Sequence, residues 1–337
     1  MKENLLEILT ITPESEREVL LRKYIDQNPR DLIAYLKLGD IVRGRNPREA
    51  ARIHLSIIYT PKIDKKLKKM ALKSLIKDSL QDNNVERAIF YAKEILKIDS
   101  RDIETYEILY KLYEEVENWE GAVHTFDELR KIRKQKSDLE EASRLYALWG
   151  KSLLDKGEDK RGLDKIKESL KIKENSFWGL LYLGEYHRKR GELDKCIEVW
   201  EKLLFTYPDK SHLILEKLEE VFYESGQYDK MEDLYKRFLN EYQDNEEASV
   251  RFARILLAKG ETERALNILS AIKNNFKAKR ELIKLLIKNG EIDKALQELE
   301  TLEPLQKFIC KNCKRIFDEF SLKCPQCKSW LTIEPIS

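Results

Sequence analysis

Apolar side chains recur at intervals of three and four residues over most of the chain, with charged positions between them. In two clear stretches they fall at Tyr106, Leu109, Tyr113 and Phe126, and at Leu180, Leu183, Trp200 and Leu203. This spacing puts them on one face of a helix, because an α-helix turns once in 3.6 residues. The pattern therefore predicts a succession of amphipathic helices.

This helical pattern repeats along the chain. One residue, usually small, follows a charged, turn-like stretch at seven places, which are Ala88, Ala122, Gly162, Cys196, Met231, Ala265 and Ala295. Successive members lie 34, 40, 34, 35, 34 and 30 residues apart. A period near 34 residues is that of the tetratricopeptide repeat, in which each unit consists of two antiparallel helices.

Glycine lies twelve residues before this position in several units, as Gly39 does before Ala51, and as Gly150 and Gly184 do in later units. We expect the two helices of such a unit to approach closely there, since glycine carries no side chain. The 40-residue step coincides with the charged segment 130–141, which we expect to lengthen a helix or a loop. The 30-residue step fits a terminal unit that caps the stack.

These observations predict an all-α fold, a superhelical tetratricopeptide-repeat solenoid with a small cysteine-rich domain at its C-terminal end. We expect an N-terminal helical segment over residues 1–31, with helices near 3–9 and 14–27. The solenoid, of about eight units, is predicted over 32–303, and the metal-binding domain over 304–337.

Four of the five cysteines form a local cluster, Cys310-x2-Cys313 and Cys324-Pro-x-Cys327, with ten residues between the pairs. Two such pairs supply the four thiolates of a tetrahedral metal site. We expect one metal ion, with structural zinc favoured, a redox iron site second and a reactive dithiol last. A module this small has too little core to fold alone, so the metal is expected to stabilise it.

The two cysteine pairs depart from the common pattern in one respect. Metal knuckles often carry glycine after the second cysteine, where the backbone takes a positive φ, but Lys314 and Lys328 occupy these positions. We therefore expect either local strain or a different turn.

The module also carries more large apolar groups than it can bury by itself. We expect some of Phe308, Phe317, Phe320 and Trp330 to pack against the last repeats near Leu299 and Leu302.

Composition and sequence motifs limit the classes of function that this protein can have. The chain has 63 Lys and Arg against 61 Asp and Glu, a net charge of +2, so no global field favours nucleic acid or an anionic membrane. We find no signal peptide and no apolar stretch of about 18 residues, which predicts a cytoplasmic protein without a transmembrane helix. No common nucleotide-binding, metalloprotease or hydrolase motif occurs, so we expect no enzymatic activity.

The remaining candidate residues have ordinary structural explanations. Cys196 occupies the small position of a repeat, which favours a packed thiol over a reactive one. The four histidines, His54, His124, His187 and His212, share no spacing and are expected to be surface or packing residues.

Solenoids of this class bind partners in a groove lined by the first helix of each unit. Counting from the small position predicts that the partner-binding groove includes Arg43, Lys151, Trp178, Glu185 and Arg188.

Two segments carry a family resemblance, LKLGDIVRGRNPREAARIH (36–54) and CKNCKRIFDEFSLKCPQCKSWLTIEPI (310–336). Repeats followed by a rubredoxin-type knuckle with this tail resemble the lipopolysaccharide assembly protein B family. The resemblance implies a non-enzymatic adaptor that restrains lipopolysaccharide synthesis. It implies two partners, an FtsH-type membrane protease and the deacetylase that commits the cell to lipid A synthesis.

Family members usually begin with a membrane-spanning helix, which this sequence lacks. Either the protein reaches the cytoplasmic face of the inner membrane through its partners, or it is a cytosolic relative with an altered function. Two other functions remain open at this point, a rubredoxin-like electron carrier and a zinc-ribbon nucleic-acid binder. The lysines and arginine around the cysteines favour the latter, but the near-zero net charge leads us to expect no nucleic acid partner.

Overall fold

The computed structural model describes residues 13–272, 276–300, 307–317 and 321–335. Within these residues the chain forms 17 α-helices, a 3-10 turn and three short strands. The helices are α1 (Glu14–Gln27), α2 (Leu32–Val42), α3 (Pro47–Ile58), α4 (Lys65–Gln81), α5 (Val85–Ile98), α6 (Ile103–Glu115), α7 (Trp119–Arg133), α8 (Asp138–Asp155), α9 (Asp159–Ile172), α10 (Phe177–Lys189), α11 (Leu193–Thr206), α12 (Ser211–Ser225), α13 (Tyr228–Glu241), α14 (Glu246–Ala258), α15 (Thr262–Ala271), α16 (Phe276–Lys288) and α17 (Ile292–Glu300). The strands are β1 (Phe308–Cys310), β2 (Ile316–Phe317) and β3 (Ile333–Pro335).

The chain divides into two compact units, Met1–Tyr186 and His187–Ser337. The first contains α1 and the pairs α2–α3, α4–α5, α6–α7 and α8–α9, and the second contains α12–α13, α14–α15, α16–α17 and the strands. The two helices of each of these pairs pack against each other. The fold class is therefore as predicted, whereas the division at residues 31 and 303 stays a prediction.

The predicted helix near 14–27 is α1, and the one near 3–9 lies outside the described residues. The charged segment 130–141 spans the end of α7, a short connection and the start of α8. With 18 residues, α8 is also longer than α6 and α10, which have 13 each. The irregular 40-residue step thus lengthens a helix, chiefly α8, and not the connection, since 134–137 has four residues, as 99–102 does.

From the second helix pair onward, the turn within each pair is built around one residue in the left-handed region. Asn83 (φ 54°) and Glu117 (φ 55°) occupy it in the second and third pairs. In both turns an asparagine follows, whose side-chain oxygen accepts a hydrogen bond from the N–H three residues on, at 3.0 Å for Asn84 and 2.9 Å for Asn118. This caps the second helix. Glycine takes the left-handed position in the later turns, at Gly157, Gly191, Gly226, Gly260 and Gly290.

The predicted small positions are all buried, and Cys196 is a fully buried packing residue as expected. The first pair needs one correction, because Ala50 and not Ala51 is its fully buried small residue. The reason is the length of the turn. The N-cap of α3, Asn46, follows Gly39 by seven residues, while the N-cap of α9, Glu158, follows Gly150 by eight.

We expect Gly150→Ala to lower the free energy of unfolding by about 1–2 kcal/mol. A Cβ at this position would lie 2.6 Å from Ile166 Cγ1 and 2.8 Å from the backbone oxygen of Gly162. Overpacking costs about 1–3 kcal/mol, toward the upper end where the clash is with backbone as it is here, and the better helix propensity of alanine returns up to about 1 kcal/mol. The matched control is Gly44→Ala, since nothing lies within 4 Å of that Cβ. Urea unfolding midpoints that fall equally for both variants would contradict the proposed close approach.

Candidate metal centre and partner surface

The C-terminal module is organised by a three-stranded antiparallel sheet in the order β2-β1-β3. Phe308 of β1 pairs with Phe317 of β2, and Cys310 pairs with Ile333 of β3. The sheet thus fixes the first cysteine at the end of its central strand. Cys310, Cys324 and Ile333 form the small buried core of the module.

The two cysteine pairs adopt the same backbone turn. The carbonyl of Cys310 accepts a hydrogen bond from the N–H four residues on (2.8 Å), and its N–H donates to the carbonyl five residues on (3.0 Å). Cys324 makes the two equivalent bonds at 2.9 and 2.8 Å. The module is therefore two copies of one knuckle facing each other.

Both knuckles require a left-handed residue directly after their second cysteine. Lys314 has φ 58° and Lys328 has φ 59°. Of the two possibilities expected from the sequence, the structure has the strained one, because the turn is kept and lysine adopts the conformation that favours glycine. The strain is about 1 kcal/mol at each position.

The four sulfur atoms converge on one point. Cys310 Sγ lies 3.6 Å from Cys327 Sγ, and Cys313 Sγ lies 3.7 Å from Cys324 Sγ. All four lie within 4.8 Å of one another. A tetrahedral zinc ion with Zn–S bonds of about 2.3 Å separates its sulfurs by about 3.8 Å, so the cluster fits one such ion with little movement. Within the described residues no other group of three or more His, Cys, Asp or Glu side chains has metal-binding geometry.

The environment of the sulfurs favours a bound cation. Hydrogen bonding from the side chain and backbone of Ser329 lowers the pKa of Cys327 to about 5. At Cys313 the backbone N–H of Arg315 lowers the pKa, but burial and the neighbouring sulfurs outweigh it and raise the pKa to about 11. Four clustered thiols therefore resist full ionisation unless a metal ion displaces their protons. The donor set suits zinc and iron alike.

A side chain of the first knuckle reaches across to the second. Asn312 Nδ2 donates to Ser329 Oγ at 2.7 Å and lies 3.6 Å from Cys327 Sγ. Gln326 occupies the equivalent position in the second knuckle, where it is exposed and makes no hydrogen bond to the described residues of the module. Asn312 therefore orients a predicted metal ligand from the opposite knuckle.

We expect Asn312→Ala to weaken retention of the metal by about tenfold or more, the usual cost of losing such an orienting hydrogen bond. The measurement is the rate at which the purified protein transfers its metal to a chromogenic chelator. The matched control is Gln326→Ala, which should transfer metal at the wild-type rate. Equal rates for the two variants would show that Asn312 does not orient the site.

The structure describes the surroundings of three of the four large apolar side chains of the module. Phe308 and Phe317 are half-buried against the cysteines, and the Lys323 ammonium lies 5.2 Å from the centre of the Trp330 ring. Leu299 of α17 is 47 % exposed. The remaining two residues of that expectation, Phe320 and Leu302, lie outside the described residues. Packing of the module against the last repeats stays a prediction.

The five predicted groove residues differ in solvent exposure, and the prediction for Trp178 needs correction. Its side chain is 2 % exposed, because it packs edge-to-face on Phe177 and against Tyr182, so it is a core residue. The other four stay predictions: Arg43 is ion-paired with Asp78 at 2.6 Å, Lys151 with Asp155 at 2.6 Å, Arg188 with Glu220 at 2.7 Å, and Glu185 is half-buried.

Sequence reasoning missed a buried polar network in the first two helix pairs. His54 is fully buried, with Nδ1 2.5 Å from a carboxylate oxygen of Asp78 and Nε2 3.1 Å from the carbonyl oxygen of Leu36. Arg43 Nε donates to the other oxygen of Asp78 at 2.6 Å. The sequence signal for the burial of His54 was Gly39, since a Cβ there would clash with the His54 ring.

The helix pairs are arranged as in tetratricopeptide repeats, and they are followed by a small four-cysteine module with the geometry for one metal ion. The tetratricopeptide repeat family matches residues 222–277. The chain resembles lipopolysaccharide assembly protein B, as predicted. It is 23% identical to that protein of Haemophilus influenzae over 319 residues, 90% of this chain and 79% of the relative. Identity to the Escherichia coli K12 protein is 21% over 317 residues, 90% of this chain and 80% of the relative.

Among solved structures, two crystal structures of MamA are similar. One is 18% identical, with a TM-score of 0.38, and covers 52% of this chain and 92% of its own. The other is 16% identical, with a TM-score of 0.35, and covers 52% and 97%. In the part of the chain that the structure describes, no helix has the length and apolar character needed to cross a bilayer.

Proposed function

We propose that this protein is a non-enzymatic adaptor that regulates lipopolysaccharide synthesis by promoting turnover of the lipid A deacetylase by an FtsH-type membrane protease. One observation carries the proposal, the similarity to lipopolysaccharide assembly protein B over 90% of this chain. The stacked helix pairs and the cysteine cluster support it, because they supply a rigid protein-binding surface and a folded tail.

The physical role of the repeats in this proposal is to hold two partners in a fixed geometry. Ion pairs tie first helices of successive pairs together, as between Lys73 and Glu104 and between Arg251 and Glu219. Buried apolar side chains also continue from one helix pair to the next, as in the core cluster that runs from Leu72 to Leu145, and this packing limits the movement of these pairs against each other. A partner would therefore meet a preformed surface and lose less entropy on binding.

The proposed role of the metal is structural. Cys310, Cys313, Cys324 and Cys327 would hold one zinc or iron ion, whose binding free energy folds the module. The protein would work in the cytoplasm, reaching the cytoplasmic face of the inner membrane through its partners.

The test is capture of the partners from a Gram-negative lysate by the full-length, metal-loaded protein. We expect the protease or the deacetylase to be retained and identified by mass spectrometry. Recovery of neither, with the metal content verified as intact, would contradict the adaptor function. The control bait is the same protein after urea denaturation, which should retain neither.

A second candidate function is electron transfer of the rubredoxin type. The observation that favours it is the partial exposure of Cys313 and Cys327, which brings one edge of the cluster near solvent. An iron-loaded protein would then be red and bleach reversibly on reduction. A colourless, zinc-loaded protein from iron-replete cells would exclude this function.

A further inference from the structure

One face of α4 carries solvent-accessible side chains from the first turn of the helix to the last. Lys66, Met70, Lys73, Lys77 and Leu80 follow one another at steps of four and three residues, so they share a face. Lys66 and Lys77 are exposed, and Met70 and Leu80 are 40 % and 37 % exposed. We call these five residues the α4 stripe. It combines accessible cations with accessible apolar side chains.

The α4 stripe lies in the most basic part of this helix pair. Residues 59–81 contain seven lysines and two aspartates, in a chain whose net charge is only +2. Neither aspartate neutralises the stripe. Asp64 caps the N-terminus of α4, and Asp78 is buried between Arg43 and His54. Within the described residues Lys66 and Lys77 form no ion pair, whereas Lys73 is held by Glu104.

We propose that the α4 stripe binds an acidic, amphipathic segment of a partner protein. The proposal rests on the adaptor function and specifies the chemistry of one of its partners. Carboxylates of the segment would pair with Lys66 and Lys77, and its apolar residues would cover Met70 and Leu80. Methionine suits such a surface, because its flexible thioether adapts to different apolar shapes.

The spacing along α4 specifies the segment further. Lys66 and Lys77 are separated by about 16 Å along the helix axis, at 1.5 Å per residue, and Met70 and Leu80 by about 15 Å. A helical partner lying along α4 matches this with carboxylates eleven residues apart and apolar residues between them. This is recognition of an amphipathic helix by an apolar face rimmed with charge.

The surroundings favour a short acidic segment over a continuous polyanion. Asp40 of α2 accepts a hydrogen bond from Ser74 on one side of the stripe, and Glu104 of α6 pairs with Lys73 on the other. A nucleic acid strand or an anionic membrane crossing α4 would meet both carboxylates. The stripe also contains no aromatic side chain on which a base could stack.

The test uses a synthetic 18-residue helical peptide of Leu, Ala and Glu, with glutamates eleven residues apart, and the same peptide with lysine for glutamate. Fluorescence anisotropy should show that full-length protein binds the acidic peptide and not the basic one. The double variant K66E/K77E should bind the acidic peptide at least tenfold more weakly, because attraction becomes repulsion. M70S/L80S should also bind it more weakly.

The matched control is K160E/K167E, which reverses two exposed lysines on α9 that likewise form no ion pair within the described residues. It should bind the acidic peptide as the wild type does. Equal binding by K66E/K77E and this control would overturn the proposal. So would tighter binding of single-stranded RNA or phosphatidylserine vesicles than of the peptide, lost in K66E/K77E.

The result of the peptide-binding test can be distinguished from the result of the partner-capture test. If the wild type does not bind the acidic peptide but still captures the protease or deacetylase, the α4 proposal fails and the adaptor function stands. If the peptide binds as expected but the wild type captures neither partner, the adaptor function fails. Far-ultraviolet circular dichroism verifies that every variant is folded.

Discussion

Replacement of Cys310 and Cys313 by serine together should release the metal and unfold the C-terminal module, while the helix pairs stay folded. Two thiolates remain, too few for a tetrahedral site. The module has only a small core around Ile333, so the loss of metal-binding free energy should exceed its own stability. The helix pairs depend mainly on their neighbours and should keep their helicity.

The measurements are metal content, limited proteolysis and circular dichroism at 222 nm. We expect loss of the ion, rapid cleavage within the module and a nearly unchanged helical signal. Gln326→Ser is the control, since it changes an exposed residue of the same module. A protease-resistant module in the double variant would show that the metal does not fold it, and a collapsed helical signal would show that the repeats depend on the module.

Replacement of Asp78 by asparagine should lower the free energy of unfolding by about 3 kcal/mol. The carboxylate is fully buried and contacts both His54 and Arg43. Removing one member of a buried charge pair leaves its partner uncompensated, which costs about 3–5 kcal/mol. Asparagine keeps the shape of the side chain, so the loss is electrostatic and not a matter of volume.

Urea unfolding of Asp78→Asn against Asp82→Asn isolates this effect. Asp82 pairs with Arg48 at 3.1 Å, but Arg48 is largely exposed, and such surface pairs contribute about 0–1 kcal/mol. We expect a large fall in midpoint for the first variant and almost none for the second. Similar midpoints for both would mean that the network around His54 does not stabilise the first two helix pairs.

The apolar periodicity was sufficient to predict the helix pairs. Each helix buries one face, and the residues on that face recur every three or four positions in the sequence. The small positions followed from the same logic, since a large side chain at Ala88 or Gly162 would keep the two helices apart. The error at Ala51 arose because a turn can lose one residue without changing the apolar pattern. The four cysteines were identifiable because both knuckles are local in sequence.

Long-range polar contacts could not be predicted in this way. His54 and Asp78 are 24 residues apart, and no local signal reports that their side chains meet. Trp178 is a second residue whose contacts could not be predicted from the sequence. Its position in the repeat predicted that its side chain lines the groove. The indole is instead covered by Phe177 and Tyr182, and the sequence does not show that these three side chains pack together.

The most direct test of the adaptor function is the lifetime of the deacetylase in a reconstituted system. Purified FtsH-type protease in lipid vesicles, ATP and the deacetylase are incubated with and without the metal-loaded protein. We expect the protein to shorten the half-life of the deacetylase several-fold and the Cys310→Ser/Cys313→Ser variant to have less effect. An unchanged half-life in the presence of saturating wild-type protein would contradict the adaptor function.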